Sequence, residues 1–139
     1  MSTKKEVDQE TRAQLTALVV EFNWMLDRGL PDGFGDLFTA DGVFIAAGNE
    51  RHGKTELDEF ARLRTGQDKT SRTILGLSRL EWSGPDEVRG TIPYTLFMHS
   101  GSGQPVAEVF AVGEYEDIYR YEDGQWRIAS RQSTQVFKG

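Results

Sequence analysis

The sequence predicts an α+β fold, a curved antiparallel sheet wrapped around a long N-terminal helix. Apolar residues recur at helical spacing early in the chain, at Leu15, Leu18, Val19, Phe22, Met25 and Leu26. From Thr70 onward the pattern changes to a period of two, rich in aromatic and β-branched residues. Asp123-Gly124 then sits between two such runs. That residue pair suits a two-residue type I′ hairpin, because both central positions need positive φ. Helices first and a strand meander afterwards give an α+β layer arrangement rather than an alternating parallel one.

Each element has its own signal. Thr3-Lys-Lys-Glu6 reads as a capping box ahead of the first helix, and Gly29 offers its C-terminal stop. Leu30-Pro31-Asp32-Gly33 reads as a turn, with a short helical piece at Asp36–Phe38 and a strand at Val43–Ala47. Thr55-Glu-Leu-Asp58 opens a second helix whose inner face is Leu57, Phe60, Ala61 and Arg64. Long strands are expected at Thr70–Trp82, Glu87–His99, Val106–Tyr121 and Gln125–Phe137. Ser83-Gly-Pro-Asp, Ser100–Pro105 and Asp123-Gly124 join them.

A chain of 139 residues is expected to form one domain, 1–139, and to bury about two-thirds of its unfolded surface. No apolar run approaches the ~20 residues that span a bilayer, and Met1–Glu10 is polar, unlike a signal peptide. There is no cysteine, hence no disulfide framework and no thiolate chemistry, which suits a cytoplasmic location. The net charge of −6, without a basic stripe, argues against a nucleic-acid partner. His52 and His99 lie 47 positions apart with no ligand spacing, so no metal site is expected. Gly101-Ser-Gly103 lacks the strand–helix context of a dinucleotide loop, and no cofactor is expected.

Several segments carry a family resemblance. They are Met25-Leu-Asp27-Arg-Gly, Leu37-Phe-Thr-Ala-Asp-Gly-Val43, Gly53-Lys-Thr-Glu-Leu-Asp-Glu-Phe60, Gly113-Glu-Tyr-Glu-Asp117 and Asp123-Gly-Gln-Trp-Arg-Ile128 with Arg131. In this order the chain resembles the SnoaL-like group of the nuclear transport factor 2-like (cystatin-like cone) superfamily. The resemblance implies a conical α+β barrel with an apolar pocket between the first helix and the concave sheet. Scytalone-type dehydratases, hexachlorocyclohexane-type dehydrochlorinases, polyketide cyclases, steroid isomerases and catalytically silent subunits share that architecture, so the fold alone does not fix a function. In the dehydratase and dehydrochlorinase branch an Asp ending the first helix pairs with a His on the first long strand. Asp27 matches that Asp, but the His position falls at Thr73. The second dehydratase His falls at Met98, beside His99. Both imidazoles are therefore absent, and the Asp–His mechanism is not carried over.

Strand alternation sorts what remains. Thr73, Leu75 and Leu77 are expected to face inward, with Ile92, Tyr94, Leu96 and Met98 on the next strand. Ala111, Gly113, Tyr115 and Asp117 share a face after that, and Phe44 and Ala46 point inward from the short strand. Asn23 lies one helical turn before Asp27. The expected catalytic groups are Asp27, Tyr94 and Tyr115. The expected substrate contacts are Asn23, Phe44, Thr73, Leu75, Leu96 and Met98, an apolar lining with few polar groups. Structural readings compete with these. Asp27 could be a solvated carboxylate or a partner of Arg72, and each tyrosine a core ring whose hydroxyl finds a partner. His99 faces away by parity unless a bulge intervenes, His52 falls in a loop, and Arg131 reads as a structural partner of Asp117 or Glu114.

Two functions follow from these residues. One is a cofactor-independent isomerase, cyclase or lyase acting on a hydrophobic cyclic or polyketide-like metabolite. There Asp27 is the acid–base group and a tyrosine hydroxyl polarises a carbonyl. The other is a non-catalytic ligand-binding or assembly subunit resembling the β subunits of ring-hydroxylating dioxygenases. In either case a homodimer or homotrimer is expected, with aromatics such as Trp82 or Tyr119 on the convex sheet face buried between copies.

Overall fold

The computed structural model describes residues 5–139. Helix α1 runs Gln9–Asp27, and its N-cap is Asp8, whose carboxylate accepts from the Thr11 backbone N–H at 3.1 Å. Of the capping box expected at Thr3-Lys-Lys-Glu6, Thr3 and Lys4 lie outside the described residues, and Glu6 lies ahead of the helix, which Asp8 caps. Lys5 and Glu6 instead belong to the sheet side, where the Lys5 carbonyl accepts from the Trp82 N–H at 2.7 Å and Glu6 bridges Glu81. At the other end Gly29 takes φ +68, and the Leu30 N–H returns to the Met25 carbonyl at 2.9 Å, which closes the helix where expected. The buried stripe is Leu15, Val19, Phe22, Asn23 and Met25.

A 3-10 turn at Phe34–Leu37 follows left-handed Gly33, and Phe38 already belongs to the next strand. Strand β1 spans Phe38–Ala46, longer than expected, and folds back on a strand the sequence did not disclose, β2 at Asn49–His52. Ala47 and Gly48, at φ 51 and 78, form the turn between them. Asn49-Glu-Arg-His has no apolar alternation, so β2 carried no strand signal. His52 therefore ends a strand rather than lying in a loop. Its N–H donates to Glu56 Oε1 at 2.8 Å as helix α2, Gly53–Thr65, begins. Leu57 and Ala61 are fully buried.

The single strand expected at Thr70–Trp82 is two, β3 at Lys69–Leu75 and β4 at Arg79–Gly84. Both pair with β5, Glu87–Ser100, along the same edge. The break faces Pro93, whose carbonyl accepts from the Gly76 N–H at 2.8 Å but which has no N–H to return. Leu77, expected inward, lies in this break and is 94% exposed. Strands β6, Val109–Glu122, and β7, Gln125–Lys138, complete the sheet, joined by the Asp123-Gly124 turn. The strand order is β2-β1-β7-β6-β5-β3, with β4 beside β3 on β5. The sheet is antiparallel, as expected, except where β1 pairs parallel with β7. The sheet curves without closing, so the architecture is an open cone with β2 and β3 as its edges.

Rings fill the concave face. Phe22 of α1 meets Phe34, Phe38, Phe44 and Tyr115 at centroid separations of 5.1 to 6.2 Å. Tyr119 was expected on the convex surface but is fully buried, because the alternation that turns Tyr115 and Asp117 inward also turns Tyr119 inward. Its hydroxyl donates to Asp117. Arg131, also fully buried, grips the same carboxylate through Nε at 2.9 Å and Nη2 at 2.8 Å, so its partner is Asp117 rather than Glu114. Trp82 is half-buried against Trp126 at 5.8 Å. The exposed aromatics are instead Trp24 on α1, Tyr121 near the β6–β7 turn, and Phe110 and Phe137 near the open end of β6 and β7.

Candidate functional site

Asp27 is the last residue of α1, and that position brings its carboxylate to the edge of the sheet. The Thr73 backbone N–H, turned away from β5, donates to Asp27 Oδ2 at 2.8 Å. Asp27 Oδ1 accepts from Ser71 Oγ at 2.7 Å and from Thr73 Oγ1 at 3.4 Å. The carboxylate thus takes the place of the strand that β3 lacks on that side and satisfies an edge donor. Behind it, Arg64 Nη2 of α2 donates to Ser71 Oγ at 2.9 Å. Burial draws the Arg64 pKa down, and the charge of Asp27 acts against that shift. Arg72 Nη1 donates to the Asp27 backbone carbonyl at 2.9 Å, satisfying one of the carbonyls left open at the helix end. Asp27 and Thr73 are neighbours, but the strongest contact to Thr73 is through its backbone. Ser71 and Arg64 complete the cluster and were missed as site residues. Ser71 shares the parity of Thr73, and Arg64 lies on the inner face of α2, so both signals were present.

The tyrosines lie deeper. Tyr94 and Tyr115 stack at 4.6 Å between centroids, tilted by 31°. The Tyr94 hydroxyl pairs with Ser133 Oγ at 2.9 Å, and the Tyr115 hydroxyl accepts from Asn23 Nδ2 at 3.1 Å. Burial pushes the Tyr115 pKa up, so the hydroxyl stays protonated. The Arg131 guanidinium lies 3.9 Å from the Tyr115 ring centroid and 4.4 Å from that of Phe22. Phe44 packs between Phe22 and Phe60, while Leu75 and Leu96 are half-buried against the same core. Met98 pairs with Ser71 across the β3–β5 ladder, and His99 pairs with Thr70.

The rings occupy the space where the apolar pocket was expected. None of the five described clefts is walled by Asn23, Tyr94 or Tyr115. The largest, about 420 Å³, lies on the outer face of β4 to β7 and is lined by polar groups such as Arg79, Glu81, Arg89 and Glu116. Two others flank the Asp27 cluster. A cleft of about 340 Å³ is walled by Asp27, Arg28, Arg64, Lys69 and Arg72, among others. One of about 320 Å³ is walled by Phe97, Met98, His99, Pro105 and Val106, among others. Thr70 and Arg72 wall both. Among the described residues no three His, Cys, Asp or Glu side chains gather as metal ligands would, and no helix is long and apolar enough to cross a membrane.

A SnoaL-like domain model matches residues 8–132, nearly the whole chain. The chain belongs to the SnoaL-like family. No curated protein matches it in sequence. Solved structures share the fold of this SnoaL-like chain. A protein of unknown function from Mycobacterium tuberculosis is 24% identical over 88% of this chain and 70% of its own, with a TM-score of 0.78. The β subunit of an enzyme provisionally assigned as an aromatic-ring-hydroxylating dioxygenase, from Novosphingobium aromaticivorans, is 18% identical over 96% of this chain and 94% of its own, with a TM-score of 0.81. ActVI-ORFA from Streptomyces coelicolor is 16% identical over 92% of this chain and 98% of its own, with a TM-score of 0.77.

Proposed function

We propose that this SnoaL-like protein is a cofactor-independent isomerase, cyclase or lyase that works by acid–base chemistry at Asp27 on a hydrophobic cyclic or polyketide-like metabolite. The orientation of the Asp27 carboxylate carries the reading. Ser71 and Thr73 fix it, yet it still walls an open cleft. A carboxylate has about four acceptor sites. Three contacts are made, so Oδ2 keeps a lone pair for a substrate proton. In this scheme Asp27 takes a proton from the carbon beside a carbonyl. Arg64, in the same cleft, stabilises the developing oxyanion. The proton then returns to a different carbon in an isomerisation, or a leaving group departs in an elimination. Tyr94 and Tyr115, the other expected catalytic groups, line none of the described clefts and have no part in this scheme, in which they are stacked core rings.

The test is enzyme-dependent C–H to C–D exchange in deuterium oxide, followed by NMR over a panel of cyclic ketones. Asp27→Asn is expected to slow exchange by about 10²- to 10⁴-fold, the usual worth of a general base. Exchange at the wild-type rate in that variant removes Asp27 as the base. A second reading, a non-catalytic ligand-binding or assembly subunit, is favoured by the ring-filled interior and the occupied hydroxyls of Tyr94 and Tyr115. A homodimer or homotrimer through exposed Phe110, Val136 and Phe137 fits either reading.

A further inference from the structure

The cleft around Asp27 runs against the charge of the chain. The protein carries a net −6, yet Arg28, Arg64, Lys69 and Arg72 line this cleft with Asp27 as the only acidic residue among its walls. None of these four cations takes part in an ion pair among the described residues. Arg28 stacks over the Trp24 ring at 3.6 Å, Arg64 donates to Ser71, and Arg72 donates to backbone carbonyls. The C-termini of α1 and α2 both end here, which is one reason for cations to gather. Each helix end is worth about half a negative charge. Together with Asp27 they offset about two of the four cations, so roughly two positive charges are left without a partner.

The neighbouring cleft is opposite in character. Phe97, Met98, Pro105, Val106 and Ala107 give it an apolar wall, with Val106 57% exposed. Since Thr70 and Arg72 wall both clefts, the apolar and cationic surfaces are continuous around the β3 edge. An apolar surface joined to uncompensated positive charge fits a ligand with the reverse arrangement.

We infer that these two clefts together form a binding site for an amphipathic organic anion. Its apolar ring system rests on Phe97, Met98 and Val106, and its carboxylate or phosphate group sits among Arg28, Lys69 and Arg72, with Arg64 held at Ser71 beside Asp27. The inference rests on the reading of Asp27 only in sharing its cleft, and it narrows the substrate class to apolar acids or phosphate esters.

Binding is tested on the full chain, isotopically labelled, by NMR titration at fixed ionic strength. The probes are 2-naphthoate, 2-naphthyl phosphate, neutral 2-naphthylmethanol and inorganic phosphate. At least one naphthyl anion is expected to bind saturably, at least tenfold tighter than either the alcohol or inorganic phosphate. The amide shifts should centre on Gly29, Thr70, Arg72 and Val106. The ranking of the two naphthyl anions distinguishes a carboxylate ligand from a phosphate ester. Lys69→Gln is expected to weaken binding about tenfold, the worth of one charge-assisted contact. Val106→Asp, at an exposed loop position, tests the apolar half in the same way. Naphthyl anions binding no tighter than the alcohol, or shifts confined to Asn23, Tyr94 and Tyr115, would overturn the inference. So would full affinity in both variants. No turnover is read, so failure here leaves Asp27 as a base untouched, and loss of that role leaves the binding result standing.

Discussion

Replacing Asp27 by Asn tests the clamp between α1 and β3 through stability alone. The carboxylate accepts at both oxygens, from Ser71 Oγ at 2.7 Å and the Thr73 N–H at 2.8 Å. An amide has one acceptor oxygen, so either orientation turns its NH₂ toward a donor. If the amide oxygen keeps Ser71, the Thr73 N–H on the sheet edge loses its partner. If it keeps Thr73, the Ser71 hydroxyl, already accepting from Arg64, faces a donor. Losing one hydrogen bond to a charged group costs about 1.5–3 kcal/mol. Removing a negative charge from a helix C-terminus returns about 0.3–1 kcal/mol. The net loss is about 1–2 kcal/mol, which lowers the melting temperature by about 3–7 °C for a domain of this size. Urea unfolding at unchanged m-value measures it, and hydrogen exchange at the Thr73 amide locates it. Ser71→Ala should cost about 1 kcal/mol by itself. The double variant should lose less than the sum, because both changes remove the same contact. An unchanged midpoint together with unchanged Thr73 protection would refute the clamp. Asp27 would then be the solvated helix-end carboxylate that the sequence also allowed, worth less than about 1 kcal/mol.

Two further outcomes follow from the core. Asp117→Ala leaves the fully buried Arg131 guanidinium without its bidentate partner and should cost about 3–5 kcal/mol, whereas a loss under about 1 kcal/mol in urea unfolding would mean Arg131 finds other compensation. Burial raises the pKa of Tyr115 and pushes that of Tyr119 well above the usual value. Their stabilisation is therefore fully present below the unfolded tyrosine pKa of about 10, and is lost as pH rises beyond it, because the unfolded chain ionises first. Phenolate absorbance at high pH should show Tyr115 and Tyr119 ionising late among the four tyrosines, and a single transition near 10 for all of them would contradict this.

Local chemistry was legible in the sequence. The apolar stripe of α1, the Gly29 stop, the inner face of α2 and the Asp123-Gly124 hairpin all arise from residues close together in the chain. Period and turn chemistry therefore encode them directly. The proximity of Asp27 to Thr73 came from the family resemblance, and Arg131 was read as structural with Asp117 among its partners. Tertiary contacts decided the rest. Pro93 on β5 faces the point where the expected first long strand becomes β3 and β4, exposing Leu77. Gly76 marks that point in the sequence, because a Cβ there would meet Pro93 Cγ at 2.6 Å, but only the ladder shows what it faces. The polar strand β2 exists because β1 supplies its hydrogen bonds, not because its own side chains demand burial. Whether the cone is hollow or filled depends on how Phe22, Phe34, Phe44, Tyr94 and Tyr115 meet from five separate elements. Alternation says which way a ring points, but not whether the rings close the space between them. The same holds for the four cations beside Asp27. They come from the end of α1, the end of α2 and β3, and only the fold brings them into one cleft, because electrostatic fields add in space rather than along the chain.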